Sequence, residues 1–280
     1  MAAAVETIPI RLDDNLSATA ASAATLWIIS LISEDALASA VNERVLLAPV
    51  ALIVNAAVAA AGHRAGTVTL AGAMCGAIIG PIVLVCTGWQ GWALLLATFA
   101  CAVVSSRLGW RRKTRMGIAE ERGGRRGAGN AIANTGVASL AAACSVLTYA
   151  NEAALVAFVA ALAAGGSDTI ASEIGKAWGK RTYLVTSWAR VRPGTSGAMS
   201  IEGTIAGLAG AGLLGLVGVA GGLIGASALV PVVAGATLGS LFESVLGATL
   251  EPRGVVNNDV LNFINTAAAA AVALTLQGPL

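Results

Sequence analysis

The sequence predicts an all-α membrane protein, a polytopic bundle of about nine hydrophobic segments with seven to nine of them spanning. Two observations lead there. Of 280 residues, 56% are hydrophobic and only 11% charged, against roughly 45–50% and about 25% in an ordinary soluble domain. A soluble fold of this length cannot clothe its surface with so little charge. The remaining charge is also collected into a few stretches between apolar runs, as expected when lipid covers most of the chain.

A spanning helix needs about 20 mostly apolar residues. Nine segments approach this, at 17–33, 45–61, 67–87, 92–106, 130–149, 152–165, 204–220, 223–243 and 260–277. The segment at 152–165 is the weakest, either a short span or half of a broken helix. Turn and polar residues punctuate the runs: Gly62-His63-Arg64, Gly88-Trp89-Gln90-Gly91, Asn151-Glu152 and Gly221-Gly222. Trp89 and Trp92 sit where interface anchors belong. The 34 glycines fit helices that approach closely in lipid, where packing drives association. The organisation expected is an N-terminal tail with one extra apolar helix over 1–44, then a membrane-embedded domain over 45–280.

The four cysteines, Cys75, Cys86, Cys101 and Cys144, lie inside apolar runs without CxxC spacing and read as buried free thiols. His63 sits in a polar break and reads as a solvated loop residue. Met1 to Leu16 holds acids as well as Arg11 and lacks the basic start of a secretory signal. A cytosolic N-terminus is therefore expected. With all nine segments spanning, loops 62–66, 107–129, 166–203 and 244–259 then fall inside. Together with the tail they hold all but Arg44 of the 17 Lys and Arg residues. That asymmetry matches the excess of basic residues in cytoplasmic loops. The expected setting is a cell membrane crossed many times, with the chemistry facing the cytoplasm.

The loop at 107–129 begins with a basic run, Arg107 to Arg115, which would serve as a topology determinant alone. It continues as Gly117-Ile118-Ala119-Glu120-Glu121-Arg122-Gly123-Gly124-Arg125-Arg126-Gly127. Glycines among arginines let backbone N–H groups and guanidinium forks approach an anion together. Aromatic residues for base stacking are lacking, so nucleic acid is not expected; phosphate on a lipid or a nucleotide is.

In the third loop, Gly165-Gly166-Ser167-Asp168 reads as a helix start with Ser167 or Asp168 as N-cap. Thr169, Glu173, Lys176 and Lys180 would then share one helical face. A carboxylate and two ammonium groups so placed can hold Mg²⁺ and phosphate together. The plain alternative is a capped surface helix with one Glu–Lys pair. Farther on, Arg190-Val191-Arg192-Pro193-Gly194-Thr195-Ser196-Gly197 leads to Ser200 and Glu202 before an apolar helix. This is either capping with dipole stabilisation by Glu202 or a second phosphate cradle. It is not a Walker A loop, because Ile174 and Arg181 stand where that pattern needs Gly and Ser or Thr. Glu243 lies at an apolar boundary, where an ionisable group usually faces a polar cavity. Asn257 and Asp259 precede the last helix as caps or ligands.

In combination these stretches resemble a known family. The blocks Gly117-Ile118-Ala119-Glu120, Arg122-Gly123-Gly124-Arg125, Ser167-Asp168-Thr169-x-Ala171-Ser172-Glu173-x-Gly175, Pro193-Gly194-Thr195-x-Gly197-x-x-Ser200-x-x-Gly203-Thr204, Glu243-Ser244-x-x-Gly247-Ala248 and Asn257-Asn258-Asp259 occur in that order. They resemble an integral-membrane family catalogued as a domain of unknown function, which includes the plant phytyl-phosphate kinase of tocopherol biosynthesis. The likeness covers about 45–280, and two pieces are distantly similar to CTP-dependent phytol and dolichol kinases.

The resemblance implies transfer of the γ-phosphate of a nucleoside triphosphate, CTP in the first instance, to an isoprenyl monophosphate held in the membrane lipid. Combined with the residues above, it implies Asp168, Glu173 and Lys176 as the catalytic group. Mg²⁺ would be held by Asp168 and Glu173, with Glu243 or Asp259 as a further carboxylate. Lys180, Arg190, Arg192, Thr195, Ser200 and Glu202 would contact the nucleotide, and Arg122, Arg125, Arg126 and Asn134 the lipid phosphate. Two other activities fit the same residues: a transporter of an anionic metabolite, or a cytidylyltransferase forming a CDP-lipid. No inverted repeat is visible in support of the transporter.

Overall fold

The computed structural model describes residues 22, 23, 26 and 29–278. Most of the segment expected at 17–33 lies outside these residues, as do Arg11 and the N-terminal tail. Nine helices occur among the described residues: α1 (Glu34–Arg44), α2 (Ala48–Arg64), α3 (Leu70–Arg107), α4 (Trp110–Arg115), α5 (Ala128–Leu147), α6 (Asn151–Trp178), α7 (Ile201–Ala220), α8 (Leu229–Thr249) and α9 (Asn258–Gln277). Six helical stretches are long and apolar enough to cross a membrane, and they start or end within a few residues of α3 and α5 to α9.

The longest of them folds back on itself. Helix α3 contains 38 residues, but Gly88 has φ 69° and ψ −171°, a conformation open to glycine and not to a helix. The two arms on either side run antiparallel. Asn55 of α2 lies against Gly80 of the first arm and accepts a hydrogen bond from Trp92 of the second at 2.9 Å. At the other end, Arg126 touches both arms, through its carbonyl to the amide of Thr69 and its guanidinium to the carbonyl of Ala102. Each arm is about 27 Å long at 1.5 Å per residue, close to the roughly 30 Å hydrocarbon thickness. The segments expected at 67–87 and 92–106 are these arms, joined at one glycine and not by a loop.

Helix α6 overturns the expectation of a break near 165. It runs without interruption through Gly165-Gly166, and Ser167 Oγ bonds back to the carbonyl of Ala164 at 3.1 Å inside the helix. Neither Ser167 nor Asp168 is an N-cap. The glycines serve close packing: a Cβ on Gly166 would stand 2.4 Å from Leu214 Cδ1, and one on Gly165 2.9 Å from Asn134 Oδ1. Far from being a half-helix, α6 is the centre of the bundle, with Val156 to Ala164 buried on all sides. A helix apolar all round belongs in such a position. Helix α7 packs on it through Gly203, Gly207 and Gly210, which meet Ala171 and Ile170 of α6 as small residues do in membrane bundles.

One departure from an all-α fold is a small antiparallel sheet between α6 and α7: β1 (Thr182–Leu184), β2 (Arg190–Val191) and β3 (Ala198–Ser200), in the order β2-β1-β3. The run Thr182 to Val185 is short and lacks polar–apolar alternation, so it does not stand out as a strand in a 280-residue apolar sequence.

Alternating helix directions bring the α2–α3 turn, the 108–127 loop, the sheet region and the α8–α9 turn to one end. Every described Lys and Arg except Arg44 lies there. Arg44 donates to the carbonyls of Val85 and Cys86 at the opposite end, beside the Gly88 reversal. The polar loops thus share one face.

Candidate functional site

The 108–127 loop is held in place at both ends. Gly109, at φ 64°, fits against Ala177 and Trp178 at the end of α6, which turns the short α4 down beside that helix. Lys113 consequently points inward. It is fully buried, forms an ion pair with Glu173, and donates to the carbonyl of Ser106 at 2.8 Å. At the loop's other end the backbone of Arg126 pairs with Thr67 and Thr69 at 3.0 Å each. This clamp aims the guanidinium inward, where it donates to Ser106 Oγ at 2.9 Å and Asn130 Oδ1 at 3.0 Å.

Helix α6 carries two carboxylates into this region on different sides. Residues five apart are about 140° apart around a helix of 3.6 residues per turn, so Asp168 and Glu173 cannot face one ligand. Glu173 is buried with both oxygens engaged, one by Lys113 and the other by Lys176 Nζ at 3.0 Å. Lys176 also reaches Glu120 at 2.9 Å. Partial burial pushes the Glu120 carboxyl up, but the neighbouring Lys176 ammonium outweighs it and holds the acid below its ordinary range.

Asp168 faces α8. It accepts from Ser240 Oγ at 3.0 Å and lies side by side with Glu243. Glu243 is buried, and its Oε2 has no hydrogen-bond partner; nor has either amide atom of the fully buried Asn265 on α9. Buried polar groups are normally satisfied, so an unpartnered oxygen of Glu243 in a carboxylate pair, on the wall of a cavity, marks a place shaped for something polar.

Asp168, Ser240 and Glu243 line a cavity of about 280 Å³ at the charged end, with polar walls; Asn265 lies behind Glu243, outside its lining. Asp168 and Lys176 of α6, Arg126 and Asn130, and Ser240 and Glu243 of α8 form its deeper part. The Pro193-Gly194-Thr195-Ser196-Gly197 turn forms the rim. Gly197 has φ 69°, and a Cβ there would stand 2.4 Å from the carbonyl of Ser244 and the amide of Ala248. Only glycine lets this turn seat on α8, where Ser196 donates to the carbonyl of Gly247 at 3.0 Å and to Glu251.

The structure thus brings together Asp168, Lys176, Arg126, Thr195, Ser200 and Glu243. Ser200 is also the N-cap of α7, accepting from the Gly203 amide at 3.1 Å. It does not bring Lys180, Arg190, Arg192 or Glu202 to the cavity wall. Lys180 lies beyond the end of α6, so it does not share the face of Glu173, and its amide contacts Glu202 at 3.4 Å. Arg190 and Arg192 are exposed. Arg125 stacks over Gly66, Arg122 reaches Gly127, and Asn134 bonds within α5. Asp259 packs on Gly129, apart from Asp168, while Asn257 caps α9. Among the described residues no three His, Cys, Asp or Glu form a metal-holding group.

Lys113, Asn130, Ser240 and Asn265 were not singled out from the sequence. Lys113 was hidden in a run that topology alone explains. Asn265 carried a signal, as a lone amide in an apolar helix.

The family described as integral membrane protein DUF92 matches residues 53–270. The chain belongs to this family. An uncharacterized membrane protein of Synechocystis is 37% identical over 71% of this chain and 79% of its own length. The chloroplastic protein VTE6 of Arabidopsis thaliana is 34% identical over 71% of this chain and 62% of its own. An uncharacterized membrane protein of Methanocaldococcus jannaschii is 35% identical over 68% and 77%. No solved structure matches the chain significantly. This DUF92 member is an integral, multi-pass membrane protein, and the matched region contains every residue that lines the polar cavity.

Proposed function

We propose that this DUF92 protein is a prenyl-phosphate kinase, moving the γ-phosphate of a nucleoside triphosphate, CTP by preference, onto an isoprenyl monophosphate. The observation that carries the reading is the polar cavity. Carboxylates without a paired cation (Asp168 and Glu243) stand there within one enclosure with Lys176 and Arg126, at the end of the bundle where the basic loops gather. The family resemblance, which extends to a plant phytyl-phosphate kinase, supplies the reaction class.

Phosphoryl transfer needs positioning and charge neutralisation more than covalent chemistry. An oxygen of the prenyl monophosphate attacks the γ-phosphorus, the bond to the β-bridging oxygen breaks, and the nucleoside diphosphate leaves. The acceptor is already an anion, so no strong general base is needed. Lys176 and Arg126 offset the charge of the meeting phosphates. The Pro193 to Gly197 turn presents backbone N–H groups and hydroxyls at the rim. Asp168 and Glu243 fit a divalent cation, since Mg²⁺ takes one or two carboxylates and completes its shell with water and phosphate oxygens. When bound there, Mg²⁺ would screen the β- and γ-phosphates. Glu173, held by two lysines, positions Lys176.

The basic end reads as cytosolic by the positive-inside rule, so nucleotide would reach the cavity from that side of a cell membrane. Single cysteines at Thr114, Ser187 and Asn257, in a background free of native cysteines, should all be labelled from the cytosol.

The deciding assay uses purified protein, γ-labelled CTP or ATP, and prenyl alcohols and monophosphates in micelles. Label in a prenyl diphosphate is the expected result. Release of pyrophosphate with a CDP-lipid product would replace the kinase with a cytidylyltransferase, and neither product would leave anion transport.

A further inference from the structure

A second cavity, of about 150 Å³ and mostly apolar, lies between α2, both arms of α3, α5 and α6. Val58, Ile79, Leu95, Leu96 and Phe99 supply its apolar walls, and Gly72, Gly76 and Gly80 open one side. From Gly72 to Gly80 the helix rises about 12 Å at 1.5 Å per residue. The far end is closed by the Asn55–Trp92 hydrogen bond. The near end is shared: Arg126, Asn130 and Thr169 belong to the walls of both cavities.

Arg126 is the second observation. Its guanidinium donates only to neutral groups, Asn130, Ser106 and the Ala102 carbonyl, and it forms no ion pair among the described residues. Its burial lowers its pKa from the ordinary value, against the raising pull of Glu120, Glu173 and Asp168. A cation without a partnered anion thus stands where an apolar groove opens into a polar cavity. One narrow groove and one guanidinium suit a lipid with a single chain and a phosphate monoester.

We propose that this groove holds the isoprenyl chain of the acceptor lipid, its phosphate at Arg126 and its first isoprene units running along the glycine side toward Trp92. The proposal rests on the kinase reading for the identity of the lipid. It also makes the Asn55–Trp92 floor the element that sets the preferred chain.

Gly76 permits a clean test, because a Cβ there meets nothing within 4 Å. Gly76→Leu places a side chain at the groove wall from a Cβ position that touches no protein atom. Gly212→Leu, on α7 and equally open, lines neither cavity and is the control. Gly76→Leu should raise the KM for geranylgeranyl monophosphate about tenfold or more, because buried methylenes are displaced. It should leave the KM for nucleotide unchanged, and Gly212→Leu should alter neither. In parallel, geranylgeranyl monophosphate with a terminal diazirine should crosslink to α2 and α3 in wild type and lose those crosslinks in Gly76→Leu. Turnover by wild type with an unaltered lipid KM in Gly76→Leu, or crosslinks confined to other helices, overturns the groove assignment and leaves the kinase standing. If wild type phosphorylates no prenyl monophosphate, the kinase reading fails, and the crosslink map still decides the groove. Competition of the crosslink by dioleoyl phosphatidic acid but not by unlabelled geranylgeranyl monophosphate would assign it to a diacyl lipid and overturn the proposal.

Discussion

Two groups of charge flank the inner turns of α6, and they are built on opposite terms. On one side Lys113, Glu173, Lys176 and Glu120 form a chain of alternating sign in which each carboxylate has an ammonium partner. On the other, Asp168 and Glu243 lie together with only neutral hydrogen-bond donors, and with the unsatisfied Asn265 behind them. A compensated buried pair is a fixed part of the scaffold; breaking it strands a charge. An uncompensated carboxylate pair is costly in the empty protein and becomes favourable once a cation or a charged ligand arrives. On the proposed function, the contrast separates residues that build the site from residues that use it, although Asp168 and Glu173 stand five positions apart.

The largest expected effect is on the compensated side. Lys113→Met leaves Glu173 buried with one partner fewer and should cost about 3–5 kcal/mol of stability, read as a lower Tm in detergent. The double variant Lys113→Met with Glu173→Gln should recover much of that loss, because no buried charge is then stranded. If both single variants keep wild-type Tm while turnover collapses, the pair belongs to the chemistry and the contrast fails.

Next is the uncompensated side. Asp168→Asn should lower turnover by about 10²-fold, roughly 2.7 kcal/mol, with Tm unchanged or raised because a like-charge neighbour is removed. Glu243→Gln should do the same, and both should raise the Mg²⁺ concentration for half-maximal rate. A fall in Tm without a change in metal dependence would return these carboxylates to the scaffold.

Two neighbouring arginines refine the boundary between the groups. Arg126→Ala removes a guanidinium from the cavity wall and should raise the lipid KM about tenfold, in line with roughly 1.5 kcal/mol for a charge-assisted hydrogen bond. Arg125→Ala, whose side chain lies over Gly66, should leave that KM near wild type. Equal effects would mean that the whole loop acts through its net charge.

The smallest effect belongs to Glu120, which is exposed enough for water to screen its pair. Glu120→Gln should cost less than about 1 kcal/mol. The carboxyl is held below its ordinary range, so its contribution is complete above the unfolded value of about 4.3 and fades as pH falls through the lowered one. Melting curves of wild type and Glu120→Gln should therefore differ by a constant amount from pH 6 to 8 and converge only in acid. A difference that grows toward acid would reverse the sign assigned to this pair.

The sequence alone determined the membrane class, the apolar segments and the gathering of basic residues at one end. Those properties follow from composition and from local runs, which lipid reads one segment at a time. It also marked the blocks around Asp168, Pro193 to Gly197 and Glu243 that meet in the cavity. Only the tertiary structure decided how α6 is used. Gly165-Gly166 looks like a hinge in one dimension, yet Leu214 and Asn134 pack so closely that the pair stays helical. Once the helix continues, its rotation sends Asp168 toward Glu243 and Glu173 toward Lys113. Which carboxylate is left without a cation depends on side chains from α4 and α8, distant in sequence, and local pattern carries no record of their distance in space.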